Sequence, residues 1–261
     1  MGLAVGNRNA AEPGDEDLTG WREPHLWRLH SDATNAAFLR RALDGRRFAR
    51  ALKTDLFDEA TTGGVVPMLR DAAESITGID LSRDIVERAQ RRYPDVAAIE
   101  ADVRRLPFDD DSFDLVVSLS TLDHLSSVAE IEGGIRELGR VLAPGGTLAL
   151  TVDNQANPVI ALRGLLPGAA MRGVGLVAYR IGPTVGPRRL ERFVRSAGMQ
   201  PRAREALMHC PRLPAVALAR RIERSPRGGR RFLRAAAGFD ALDRLPTRYV
   251  TGYFAAIVAE G

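Results

Sequence analysis

Two rhythms interleave between residues 48 and 152: short apolar runs, and segments whose apolar residues recur every three or four positions. The runs predict strands over 48–57, 75–79, 96–101, 113–119 and 147–152, and the periodic segments predict helices over 65–73, 83–92 and 127–142. Ser82 stands where its hydroxyl can accept from the first free N–H groups of the second of these helices. Pro144, Gly145 and Gly146 form a turn that ends the third. Strands spaced by such helices predict a parallel sheet covered on both faces. In sheets of this kind ligands bind outside the carboxyl ends of the strands.

The flanks read differently. Residues 1–20 are polar and aperiodic and predict a disordered tail, whereas 21–43 turn helical, with Phe38, Leu39, Ala42 and Leu43 on one face. Beyond Asn154 the rhythm loosens into a helix over 187–197, a strand over 199–209 and a final strand over 249–260. Two arginine-rich helices, about 212–224 and 228–245, lie between those strands, the second with Phe232, Ala236, Phe239, Leu242 and Leu245 on its apolar face. The expected organisation is one domain over 21–261. It comprises a helical cap (21–47), a core (48–154) and a second half (155–261) that carries a helical insertion at 212–245.

Charge sharpens this division. Residues 1–150 hold 18 basic and 26 acidic side chains, whereas 151–261 hold 19 basic and 7 acidic. All the basic residues are arginine except Lys53, and an arginine-only excess is a poor sign of nucleic-acid binding. The segment 188–234 has 14 Arg against three Glu and few interleaved aromatics for base stacking. It reads as a solvated face, as a lid that attracts an acidic substrate, or as a surface leaning on anionic membrane. No apolar run approaches the roughly 18 residues a membrane span needs, and the N-terminus has no signal-like apolar stretch. A single cysteine, Cys210, precludes an internal disulfide. The expected location is the cytoplasm.

The candidate chemistry gathers at predicted strand ends. Asp80 closes the second strand with Leu81 next to it, Asp102 closes the third with Val103 next to it, and Ser118, Asp123 and His124 follow one another at the end of the fourth. The run ADVRRLPFDDDSFDLVVS (101–118) and the run ELGRVLAPGGTLALTVDN (137–154) flank that fourth end. Together these residues resemble the class I S-adenosylmethionine (SAM)-dependent methyltransferases, strongly over 48–154 and weakly over 187–261. The first run is similar to that family's D-x-x-x-L-P-F…F-D signature, and the second to its helix, Pro-Gly-Gly turn and fifth strand. The closing YFAAIVAEG is placed like its antiparallel last strand.

The resemblance implies an α/β fold with a Rossmann-like, seven-stranded, mostly parallel sheet, helices on both faces, an antiparallel last strand and an added helical lid. It implies SAM as cofactor, with Asp80 on the ribose, Asp102 at the adenine, Leu81 and Val103 beside the ring, and Ser118, Gly63 and Gly64 in the same site. It implies methyl transfer to an O, N or C nucleophile of a small molecule, which the arginine-rich segment would favour as an acidic one. His124 and Asp123 are the catalytic candidates, His124 because imidazole suits proton transfer near neutrality.

One departure stands out. The family carries an acidic residue and G-x-G-x-G after strand one; this chain has LKTDLFDEATTGG over 52–64. If Gly64 takes the last glycine's place, Asp58 takes the acidic one; a second register gives that role to Asp55. Lys53 in a central strand needs a partner, either a carboxylate or the cofactor's own carboxylate. The altered loop keeps open a non-catalytic scaffold or accessory protein on the same fold. A nicotinamide oxidoreductase is disfavoured, since no G-x-G-x-x-G follows strand one. No His/Cys cluster has ligand spacing, and no G-x-S-x-G elbow supports a hydrolase triad. The oligomeric state is not legible.

Overall fold

A computed structural model describes residues 24–61, 63–165 and 182–261. The expected tail at 1–20, Trp21 and part of the 155–186 segment lie outside the described residues. The chain begins with helix α1 (His25–Leu43) and strand β1 (Phe48–Lys53), then short helices α2 (Phe57–Thr61) and α3 (Val66–Ala72). Strand β2 (Ala73–Asp80), helix α4 (Arg83–Arg92), strand β3 (Ala97–Glu100) and strand β4 (Phe113–Leu119) follow. A single 3-10 turn (Leu122–His124) leads to helix α5 (Val128–Val141), strand β5 (Leu142–Asp153) and helix α6 (Pro158–Leu165). The second half adds α7 (Pro187–Ser196), β6 (Gln200–Leu207), α8 (Arg212–Ile222), α9 (Pro226–Gly238), a short α10 (Arg248–Thr251) and β7 (Phe254–Glu260).

The seven strands form one sheet in the order β3-β2-β1-β4-β5-β7-β6. β3, β2, β1, β4 and β5 pair in parallel, and β7 runs antiparallel to both β5 and β6. The Rossmann-like fold, including the antiparallel last strand, is as the sequence implied. Because alternate side chains of a strand point to opposite faces, each strand feeds two cores. Leu52, Val116, Leu148 and Leu150 join Ile131, Ile135 and Leu138 of α5 and Leu190 of α7. Ala51, Leu115, Val117 and Ala149 join Phe38 and Leu39 of α1 and Leu69 of α3 on the other face.

Local signals set several boundaries. Ser82 caps α4 by accepting from Ile85 N, and Ser127 caps α5 by accepting from Glu130 N. Four expectations are corrected. The fifth strand starts at Leu142 and takes in Pro144, Gly145 and Gly146, which the sequence pattern assigns to a turn. The first strand stops at Lys53 rather than at 57, and the final strand starts at Phe254 because Arg248–Thr251 is helical. The 228–245 helix starts at Pro226, ends at Gly238 and continues as a 3-10 segment, Phe239–Arg244.

The antiparallel pairing of β7 with both neighbours makes β6 parallel to β5, so β6 ends on the same edge as β1 and β4. The insertion carrying α8 and α9 leaves from that edge and returns to it. It is anchored there on α1: Leu26 and Trp27 pack with Met208, Ala215, Val216, Ala219, Phe232 and Ala236. The helical cap and the insertion thus form one structure over the carboxyl edge.

Candidate active site

β1 ends on a buried charge. Lys53 is 5% exposed and its Nζ lies 2.7 Å from Oε2 of Glu59, which is fully buried on α2. Burial opposes the ammonium, but Glu59 and Asp55 outweigh it and hold Lys53 above the ordinary lysine value. The carboxylate partner expected for Lys53 is therefore Glu59, a residue the sequence did not single out. Lys53 Nζ also donates to the Asp55 carbonyl oxygen.

The same turn is held by carboxylates where the family has glycines. Asp55 Oδ1 accepts from Phe57 N at 2.9 Å, starting α2. Asp80 reaches across from β2, its Oδ2 accepting from Leu56 N at 3.1 Å and its Oδ1 from Ser82 N at 2.9 Å. Burial raises the carboxyl pKa of both Asp55 and Asp80, with Lys53 opposing in each. Glu59 Oε1 accepts from Val65 N at 2.9 Å, and Gly64 packs directly on that carboxylate. A Cβ on Gly64, whose φ is +55°, would fall 2.1 Å from Glu59 Oε1, so only glycine fits. Gly63 gives its carbonyl to the Tyr93 hydroxyl at 2.7 Å. Asp58 is half exposed on α2, with Arg28 of α1 3.9 Å away.

The other implied cofactor residues divide. Leu81, beside Asp80, is 60% exposed, an apolar surface open to a flat ring. Asp102 is instead committed to Arg104, which holds its carboxylate below the ordinary value against the effect of burial. Val103 and Ser118 are turned inward: Val103 belongs to the main core, and Ser118 Oγ accepts from Thr54 Oγ1 at 2.9 Å.

Beyond β4 the catalytic candidates part. His124 is exposed and Asp123 is buried. Burial, then the neighbouring Asp153, raise the Asp123 carboxyl well above its ordinary value, and Arg163 opposes. Its Oδ1 has no hydrogen-bond partner among the described residues. Asp153, at the end of β5, is ion-paired to buried Arg163, which also donates to the Tyr253 hydroxyl at 2.7 Å. Gly182 lies so close over Asp123 that a Cβ there would sit 1.9 Å from the Asp123 carbonyl oxygen. His209 is structural, bonded to Thr251 Oγ1 and the Ala206 carbonyl. No metal-binding cluster occurs among the described residues.

Residues 60–150 match a protein family described as the methyltransferase domain. Over this part the chain is similar to SAM-dependent methyltransferases. A malonyl-acyl-carrier-protein O-methyltransferase of Enterobacter lignolyticus is 31% identical over 134 residues, 51% of this chain and 50% of that protein. A demethylmenaquinone methyltransferase of Chlorobaculum tepidum is 32% identical over 109 residues, 41% of this chain and 42% of that one. The matches thus span about half or less of these relatives. Among solved structures the cyclase SpnF shares the fold, with a TM-score of 0.60 at 23% identity over 90% of this chain and 82% of that one. The methyltransferase-family match starts inside α2, so β1 and its charged turn lie before it.

Proposed function

We propose that the chain is a SAM-dependent methyltransferase acting on an O, N or C nucleophile of a small, acidic molecule, within one domain over 21–261. The observation that carries this reading is the row of groups along one sheet edge: Lys53 and its carboxylates at β1, and Asp80 with exposed Leu81 at β2. These fit a cofactor that combines an ammonium, a carboxylate, a ribose diol and a flat ring. When bound, SAM supplies an electrophilic methyl group.

The chain's own residues do the rest. Asp80 would accept from the ribose hydroxyls by giving up its bond to Leu56 N, and Leu81 would cover one face of the ring. Gly63, Gly64 and Asp58 shape the loop around the methionyl end, and Asp102, Val103 and Ser118 support the edge from behind. Asp123, whose carboxyl pKa is raised by burial and by Asp153, would hold the acceptor by a hydrogen bond. His124, exposed on the same turn, would take the proton that an O–H or N–H acceptor loses as the methyl group arrives. Holding the acceptor nucleophile in line with the methyl supplies a large part of the rate in such transfers.

The arginines of α8 and α9 would draw an acidic acceptor toward this edge by raising its local concentration. The relatives are named for malonyl-acyl-carrier protein and demethylmenaquinone, the first as an O-methyltransferase, which supports an oxygen acceptor. Among the described residues no helix is long and apolar enough to cross a membrane, and we place the protein in the cytoplasm. A second reading, a protein on this fold that transfers no methyl group, is favoured by the charged β1 turn and by the cyclase that shares the fold. Incubation with methyl-labelled SAM and a panel of small carboxylates and phosphates separates the two. The first reading expects label in an acceptor with matching release of S-adenosylhomocysteine, and the second expects SAM recovered intact.

A further inference from the structure

The arginines of the α8–α9 hairpin are ordered as well as abundant. On α9, Arg227, Arg230, Arg231 and Arg234 recur at intervals of three and four, which sets them along one side of the helix. All four are exposed, while Gly229, Phe232 and Ala236 on the other side are buried. On α8, Ala215, Val216 and Ala219 are buried and Arg220 and Arg221 are exposed, with exposed Arg224 just after the helix. Both helices turn their buried sides to Leu26 and Trp27 of α1. Both arginine sides therefore face away from the body of the protein.

Two features separate this face from an ordinary solvated one. On α4, α5 and α7, arginines pair with an acid of the same helix: Arg83 and Arg91 with Glu87, Arg136 with Glu132, and Arg195 with Glu191. Over 212–238 there are eight arginines and a single acid, Glu223. That acid is committed to α1, its Oε1 accepting from His25 N at 2.6 Å. The second feature is apolar: Leu213 and Leu218 of α8 are 60% and 49% exposed. Leu213 precedes Arg220 by seven residues and Leu218 precedes Arg221 by three, so each leucine shares a side of the helix with an arginine.

We propose that the α8–α9 hairpin is a peripheral membrane-docking surface that holds the protein on bilayers of anionic phospholipid. The guanidinium groups meet lipid phosphates at headgroup level, and Leu213 and Leu218 enter the apolar boundary beneath them. Arginine suits this depth, because its stem packs along apolar surface while its head stays with the phosphates. The leucines favour lipid over other polyanions. RNA offers no apolar layer to receive them, and α8 and α9 expose no aromatic side chain for base stacking. The inference does not depend on methyl transfer. The hairpin does leave the sheet at the edge that bears Lys53 and Asp80, so docking would bring that edge close to the bilayer.

The test is co-sedimentation of the whole chain with vesicles of phosphatidylcholine, alone or with about one third phosphatidylglycerol, at low salt and at about 0.5 M salt. The wild type is expected to bind the anionic vesicles about tenfold or more tightly than the neutral ones at low salt, and to leave them at high salt. Changing Arg227, Arg230, Arg231 and Arg234 together to Gln should weaken this binding about a hundredfold, since each arginine at an anionic surface contributes roughly fivefold. The same change at Arg83, Arg91, Arg136 and Arg195 should weaken it by less than about threefold, because those arginines lie away from the docking face. Leu213→Ser with Leu218→Ser should weaken vesicle binding several-fold and leave binding to polyglutamate and to polyuridylate RNA unchanged. A folded wild type that stays in solution with anionic vesicles overturns the proposal, as does equal loss from the two arginine sets. Vesicle binding that ignores the leucines also overturns it, and would point to an acidic protein or RNA as the partner. The wild-type vesicle series is decisive even where a variant fails to fold.

Discussion

The β1 turn and the α8–α9 hairpin handle charge in opposite ways. At the turn, Lys53 and Glu59 are buried and the carboxylates hold backbone donors, Asp80 accepting from Leu56 N and Glu59 from Val65 N. On the hairpin, Arg221, Arg224, Arg227, Arg230, Arg231 and Arg234 are exposed and form no ion pair among the described residues. A buried pair fixes geometry at a desolvation cost, whereas exposed charges add little stability and act at a distance. The first arrangement specifies a shape; the second specifies a field. Substitutions in the two regions should therefore fail differently.

The largest effect belongs to Lys53→Met, which leaves Glu59 buried without its counter-ion and should cost about 3–5 kcal/mol of stability. Thermal or urea unfolding reads this directly, and Lys53→Met combined with Glu59→Leu should recover most of the loss. An unchanged melting temperature in the single variant would mean that the pair fixes nothing.

Gly64→Ala comes next. The added methyl meets Glu59 Oε1 in a left-handed backbone, and about 2–3 kcal/mol is expected from strain and displacement together. Cofactor affinity should fall with it, because the same carboxylate holds the turn. A fall in affinity without a fall in stability would detach Gly64 from the Lys53–Glu59 pair.

Asp123 sharpens the comparison through pH. Its folded-state pKa is raised by burial and by Asp153, so the folded chain binds more protons here than the unfolded chain above the ordinary carboxylate value. Stability is then present below that value and is lost as pH rises toward the folded pKa. Asp123→Asn should remove this loss, giving a higher melting temperature than wild type at pH 7 to 8 and none of the advantage near pH 3. A wild-type advantage at pH 8 would show instead that the carboxylate is charged and paired.

The hairpin should give the smallest effect. Replacing Arg220, Arg221 and Arg224 with Gln should leave unfolding within about 0.5 kcal/mol of wild type. It should raise the KM of an acidic acceptor several-fold and flatten the salt dependence of kcat/KM, since screening acts over about 8–10 Å. A loss of SAM affinity would move the hairpin to the cofactor side.

What the sequence made legible follows the same division. Helix α4 and strand β4 were bounded correctly because Ser82 and a clean apolar run are local signals. The first strand was read too long because Leu56 and Phe57 continue the apolar pattern. Leu56 is indeed core, packed with Ile85 and Ala89, but the Asp80 carboxylate 24 residues away accepts its N–H and bends the chain. The last strand was overrun for a similar reason. Asn154 and Asn157 donate to the carbonyls of Tyr249, Thr251 and Gly252, and so hold a helical turn where Tyr249 and Val250 favour a strand.

The site shows the same limit. A lone lysine in a central strand announced a partner, but several carboxylates follow within six residues and only the fold selects Glu59. Asp102, Val103 and Ser118 occupy the motif positions of a cofactor site, yet one is held by Arg104 and two face the core. Motif position fixes the backbone place of a residue and leaves its side chain to the neighbours.

The central claim is that a charge-built turn, in place of a glycine-built one, seats the cofactor against Asp80. Calorimetric titration of SAM into the wild type and into Asp80→Ala tests it most directly. The account predicts one site per chain in the wild type. In the variant, binding should be weaker by about 1.5–3 kcal/mol, roughly ten- to a hundredfold, through loss of charge-assisted bonds to the ribose. Equal affinity in a folded Asp80→Ala variant, or no binding by the folded wild type, would contradict it.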